Sequence, residues 1–398
     1  MIGGRARANG GRRATACALA ALGFVFLLDG VTRAEAQNAF YQASADEIRG
    51  RPGTLIRREL LRLPAPLGGA AYRVLYRSTG LRGEPIAVSG AVIVPHGPTE
   101  GRPVVAWAHP TTGVVPRCAP SLALLVIQQI QGVRAMIERG YVVAATDYPG
   151  LGTPQTHPYL VGVSEARAVL DSVRAAREMT AAGKRFAVWG HSQGGQAALF
   201  TGTIAKAYAP ELDLAGVAAA APATELATLL ADDLDSNGGR NLTAMTLWSW
   251  SRVFDAPIAR VVYPEATATI DRLAGECIES IYDLFVRRRT AQPLAERFLL
   301  NRNFAADDPW RSLLASNTPG ALPADIPVLL AQGAADEIVR PQVTRDYMQK
   351  LCRAGSKVRL VLNANANHGF IARDSAPIAV DWMADRLAGS DAPNECGG

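Results

Sequence analysis

One pentapeptide carries most of the chemistry that this chain of 398 residues could do. Gly190-His191-Ser192-Gln193-Gly194 is a G-x-S-x-G sequence, preceded by the apolar run RFAVWG and followed by a stretch of helical character over 194–208. In that setting the strand-to-helix turn is tight. It strains the serine backbone, lifts the hydroxyl above the sheet edge, and needs glycines where neighbouring chain passes close. The helix N-terminus favours negative charge developing there. Ser192 is therefore the expected nucleophile. Without the strand and helix, the same five residues would be no more than a serine cap in a glycine-rich turn.

A serine nucleophile needs a base, and the chain has five histidines. His191 adjoins the serine in the turn and points elsewhere. His96 precedes the parallel strands, His109 ends the first of them, and His157 sits in a loop after the second. His368, in NANHGF, follows the last strand. In α/β-hydrolases the order along the chain is Ser, then acid, then His, and only His368 satisfies it. The acid should follow the strand IPVLLAQG, where Asp336 and Glu337 are adjacent. Asp336 comes first in that loop and is preferred, with Glu337 as the alternative; its role is to fix the imidazole tautomer and stabilise the imidazolium. Asp147, in TDYPGLG, precedes the serine and reads as structural. Two N–H donors must meet the oxyanion. Gln193 supplies one, and the loop His109-Pro110-Thr111-Thr112-Gly113 the other. Proline has no N–H, so Thr111 is preferred and Thr112 is the close alternative.

The elements that must hold these residues follow from hydrophobic pattern. Segments 71–78 and 86–94 read as an antiparallel hairpin. The apolar runs at 104–109 and 141–147 read as buried strands, the first of them on both faces, and the segments 185–190, 214–223, 326–333 and 358–364 read as further strands. Helical patterns fall between them at 129–139, 163–178 and 194–208, with a closing helix at 375–388. Such alternation gives an α/β fold, a mostly parallel sheet with helices on both faces. From Thr224 to Asn317 no buried strand is evident. Three helical patterns appear instead, at 224–234, 241–262 and 265–289, in a connection far longer than usual. The expected division is residues 37–64 as an N-terminal arm, 65–223 with 319–398 as the α/β-hydrolase core, and 224–318 as a helical cap inserted over Ser192.

Residues 1–36 are expected to be a secretory signal peptide. Four arginines precede the apolar run Ala16–Leu28, and Ala34-Glu35-Ala36 offers a small-x-small cleavage site. The run is too short to span a bilayer, which takes ~20 residues. Arg12-Arg13 resembles a twin-arginine export signal only loosely. Cleavage would change the formal net charge from +5 to +2. The one basic block left, Arg287-Arg288-Arg289, reads as a solvated helix end, so a nucleic-acid partner is not implied. Four cysteines would remain, Cys118, Cys277, Cys352 and Cys396; in an exported chain they suggest two disulfides, with three pairings open. No Cys/His cluster suggests zinc, and no cofactor or metal is expected.

The chain resembles the secretory lipases of the yeast lipase A type and their bacterial relatives. The likeness rests on GTLIRRE at 53–59, HPTTG at 109–113, CAPS at 118–121, GHSQGG, the long helical insertion, QGAAD and NHGF. It implies an extracellular or periplasmic lipase or esterase with the triad Ser192, Asp336 and His368, acting on small-molecule or lipid esters without an integral membrane segment. It also implies the pairs Cys118–Cys277 and Cys352–Cys396. Pro110 departs from the glycine common in related loops. Trp248, Trp250, Phe254, Tyr282 and Phe285 of the insertion offer apolar surface to an acyl chain or simply pack its helices. Other functional classes on the same fold are a serine peptidase, an acyltransferase and a degenerate binding protein; the complete triad disfavours the last.

Overall fold

A computed structural model of the chain describes residues 1, 39–62, 67–123 and 126–397. The expected signal peptide, with Cys17, lies outside the described residues. The sheet and its helices belong to the compact unit 44–398.

Nine strands form one sheet. In chain order they are β1 (Leu55–Leu61), β2 (Gly69–Thr79), β3 (Pro85–Pro95), β4 (Val104–Ala108), β5 (Val142–Thr146), β6 (Arg185–His191), β7 (Asp213–Ala220), β8 (Val328–Gly333) and β9 (Val358–Asn363). Their order across the sheet is β1-β2-β3-β5-β4-β6-β7-β8-β9. The first three pair antiparallel and β3 pairs antiparallel with β5; every later pairing is parallel. Strands β4, β5 and β8 are buried along their whole length, because helices cover both faces and each strand can be apolar throughout.

Strand β1 departs from expectation, since residues 37–64 read as an arm. After the short helix α1 (Ala45–Ile48), Leu55–Leu61 joins the sheet edge against β2. Arg57, Arg58 and Glu59 interrupt its apolar alternation, and charged side chains are what an exposed edge strand carries.

Three helices lie between β4 and β7 in the chain: α2 (Val133–Glu138), α3 (Gly162–Thr180) and α4 (Gln193–Tyr208). Between β7 and β8 lie α5 (Leu226–Asp232), α6 (Asn237–Val253), α7 (Ala266–Ala274), α8 (Ile281–Thr290) and α9 (Trp310–Ser316). The pattern expected as one helix over 265–289 is two, α7 and α8. The chain breaks after Gly275, where Cys277 is tied by a disulfide, and restarts at a Ser280–Asp283 capping box. Helix α9 was not anticipated. Arg287 is not solvated either: it is 2% exposed and donates to the carbonyls of Leu273 and Glu276 at the end of α7. Two helices close the chain, α10 (Pro341–Arg353) and α11 (Ile371–Leu387). The disulfides are Cys118–Cys277 and Cys352–Cys396.

Candidate active site

Strand β6 delivers Ser192 to the carboxyl edge of the sheet, and α4 starts at the next residue. Ser192 has φ 58° and ψ −118°, a strained conformation for a residue with a side chain. The turn closes only because its glycines lack side chains. A Cβ on Gly190 would sit 2.0 Å from the Gly194 carbonyl oxygen, and one on Gly194 would sit 1.9 Å from that of Ala108. The Ser192 N–H bonds the Ala220 carbonyl at 2.9 Å, which locks the turn to β7.

The three residues nominated from chain order lie in one hydrogen-bonded line. Ser192 Oγ is 2.9 Å from His368 Nε2, and His368 Nδ1 is 2.8 Å from Asp336 Oδ2. Asp336 is buried, and its Oδ1 accepts the N–H groups of Ile338 and Val339, both at 2.9 Å. A carboxylate held so donates no proton, so Nδ1 carries the hydrogen and Nε2 is left basic toward the serine. Glu337 is exposed to solvent.

His191 does point away from the serine, but it has a task. Its Nε2 is 2.9 Å from the His368 carbonyl, and the two rings are 5.1 Å apart. Burial pushes its pKa down to about 3, so it is neutral and donates to that carbonyl, fixing the loop that carries His368. No sequence signal marks this contact, which joins residues 177 apart. Asp147 is structural, as expected. It accepts from Ser89 Oγ at 2.7 Å and from both the N–H and the hydroxyl of Ser121.

Thr111 and Gln193 line a small cavity with Ser192, whereas Thr112 does not. The Thr112 carbonyl accepts the Ile278 N–H at 2.8 Å, next to the disulfide at Cys277. The Thr111 hydroxyl pairs with Tyr159 Oη at 2.9 Å rather than facing the serine alone. The cavity is about 30 Å³, room for about one water. Leu226, Leu229, Leu230 and Leu242 wall it, together with Ile338 and Val339. The insertion's aromatics do not. Trp250 is fully buried between Phe254 and Trp310, and its Nε1 donates to the Tyr159 carbonyl at 2.8 Å. Tyr282 and Phe285 face solvent, 73% and 57% exposed. The apolar surface near the serine is leucine, on α5 and α6. A larger groove of about 940 Å³, lined by Arg51, Arg174 and Tyr208 among others, shares no residue with this site.

Known proteins of similar sequence and fold are lipases and esterases. Lipase A of Arthroderma benhamiae is 26% identical, with 90% of this chain and 81% of that protein aligned. A probable inactive lipase of Mycobacterium tuberculosis is 25% identical, over 88% and 82%. Candida antarctica lipase A in its closed state superposes with a TM-score of 0.76 at 18% identity, over 90% of this chain and 87% of that one, a likeness of fold. The secretory lipase family matches residues 119–395. That span takes in the serine turn, the helical insertion and the strands carrying Asp336 and His368, so the chain belongs to the secretory lipase family and is a carboxylic ester hydrolase of the α/β-hydrolase fold.

Proposed function

We propose that this chain cleaves acyl esters through an acyl-enzyme on Ser192. The observation carrying the reading is the line from Ser192 Oγ through His368 to Asp336. His368 Nε2 takes the hydroxyl proton as Oγ attacks the ester carbonyl, and Asp336 stabilises the imidazolium that results. The N–H groups of Gln193 and Thr111 receive the oxyanion. His368 returns the proton to the departing alcohol oxygen. Water then repeats the sequence on the acyl-enzyme and frees the acid. No cofactor is required by this route.

Residues 224–318 act as a cap in this reading. A cavity of about 30 Å³ cannot hold an acyl chain, so the leucines of α5 and α6 move aside as substrate enters. Residues 1–36 serve as an export signal and the enzyme works outside the cytoplasm; the secretory family and two disulfides support this.

A series of p-nitrophenyl esters from acetyl to decanoyl, run beside p-nitroanilides of the same acids, tests the substrate class. One buried methylene is worth ~0.8 kcal/mol, so kcat/KM is expected to rise several-fold per two carbons until the pocket is full. The anilides are expected to be slower by orders of magnitude. Equal turnover of anilides would make the chain a peptidase-like amidase instead.

A further inference from the structure

The side chain of Gln193 is buried against Glu165 and His157, which have no part in the reaction just described. Gln193 is 1% exposed. Its Nε2 lies 2.7 Å from Glu165 Oε1 and 3.2 Å from His157 Nε2. His157 Nδ1 is 2.7 Å from the Pro149 carbonyl. A carbonyl only accepts, so Nδ1 holds the proton of a neutral ring and Nε2 accepts from Gln193. Both amide hydrogens of Gln193 are thereby engaged. Glu165 Oε1 also accepts the Leu160 N–H at 3.1 Å. Two oxygens are left over: Glu165 Oε2 and Gln193 Oε1 are buried without a hydrogen-bond partner among the described residues.

A single proton accounts for both. If Glu165 is the neutral acid, Oε2 becomes a donor, and Gln193 Oε1 is an acceptor on the very amide already joined to that carboxyl. We propose that Glu165, as a neutral carboxylic acid, is a positioning residue that clamps the Gln193 side chain and so holds the Gln193 N–H on the oxyanion. The idea rests on the acyl-enzyme reading, which makes that N–H a donor.

The surroundings favour the neutral acid. Glu165 is fully buried, and burial raises its pKa to about 8. The titratable groups facing it are Tyr148 and Tyr159, both neutral, and His157, which burial pushes down to about 3. Farther out, Arg287 of α8 acts on Tyr159, and His109 acts on His157. The insertion braces the clamp. Ser249 of α6 donates to the His157 carbonyl at 2.6 Å and accepts the Tyr159 N–H, while Trp250 holds the Tyr159 carbonyl. Ionised, Glu165 would lose its donor and set a buried negative charge behind the developing oxyanion, opposing the transition state.

The test compares wild type, Glu165→Gln and Glu165→Leu on p-nitrophenyl butyrate from about pH 6 to about pH 9.5. Glutamine mimics the neutral acid and cannot ionise. In wild type kcat is expected to fall roughly tenfold or more as pH rises through about 8, with KM little changed. The Glu165→Gln profile is expected to lack that fall. Glu165→Leu should lower kcat by about 10- to 100-fold at every pH while KM moves by only a few-fold. Thermal midpoints give a readout apart from activity. The folded pKa of about 8 lies above the unfolded value of 4.5, so the folded state binds the extra proton in that window. Wild type should then lose stability relative to Glu165→Gln as pH rises from about 4.5 to about 8. An alkaline fall that persists unchanged in Glu165→Gln overturns the proposal, as does a folded Glu165→Leu with wild-type kcat. If the leucine variant does not fold, the wild-type and glutamine profiles decide alone. Fluorophosphonate labelling of wild type separates the two readings: a labelled Ser192 with no effect at Glu165 rejects only the clamp.

Discussion

Asp336 and Glu337 are neighbours of like charge, and burial separates their roles. Asp336 spends both oxygens on fixed donors, two backbone N–H groups and His368 Nδ1, while Glu337 stands in solvent. Asp336→Asn keeps the shape but favours the wrong imidazole tautomer, so kcat is expected to fall on the order of 10³- to 10⁴-fold. Glu337→Gln should change it less than about twofold. Comparable losses in the two variants would mean that the acid has been misassigned. Ser192, Asp336 and His368 were legible in the sequence because this fold imposes an order on them and a strand before each. His191, His157 and Glu165 were not. Each acts through a contact made by the fold, from His191 to the His368 carbonyl and from Glu165 to Gln193, and no local spacing announces it.

Among the elements, the central parallel strands β4, β5 and β8 were read to within a residue or two, because a strand buried on both faces is an uninterrupted apolar run. Strand β1 was missed because none of it is fully buried and three charges in a row break the pattern. The insertion was readable as helical but not in detail. Its breaks come from tertiary ties, such as the disulfide at Cys277, and its aromatics pack inward or face solvent. Acyl selectivity is therefore expected from the leucines that face the serine. Leu230→Phe should lower the decanoyl-to-acetyl ratio of kcat/KM by about tenfold, since a filled pocket excludes the methylenes whose burial drives binding. Trp250→Ala should leave that ratio unchanged and lower both values together, because Trp250 braces the loop at Tyr159 instead of lining the pocket. A shift in the ratio with Trp250→Ala alone would return the pocket to the aromatics.

At the scale of the molecule, the sheet carries Ser192, Asp336 and His368 at its edge, and the insertion ties to two loops beside that edge. Helix α6 grips the loop at 157–159 through Ser249 and Trp250. The Cys118–Cys277 disulfide joins chain 159 residues apart and sets Ile278 against the Thr112 carbonyl in the loop at 109–113. Among the described residues no helix is long and apolar enough to cross a membrane. The acyl-enzyme is the claim to test first. Treating the purified protein with a fluorophosphonate and mapping the adduct by mass spectrometry does so directly. One adduct per chain is expected, on Ser192, with loss of ester hydrolysis in step with labelling and neither adduct nor turnover in Ser192→Ala. Labelling of another serine, or a folded Ser192→Ala that hydrolyses esters at the wild-type rate, would contradict it.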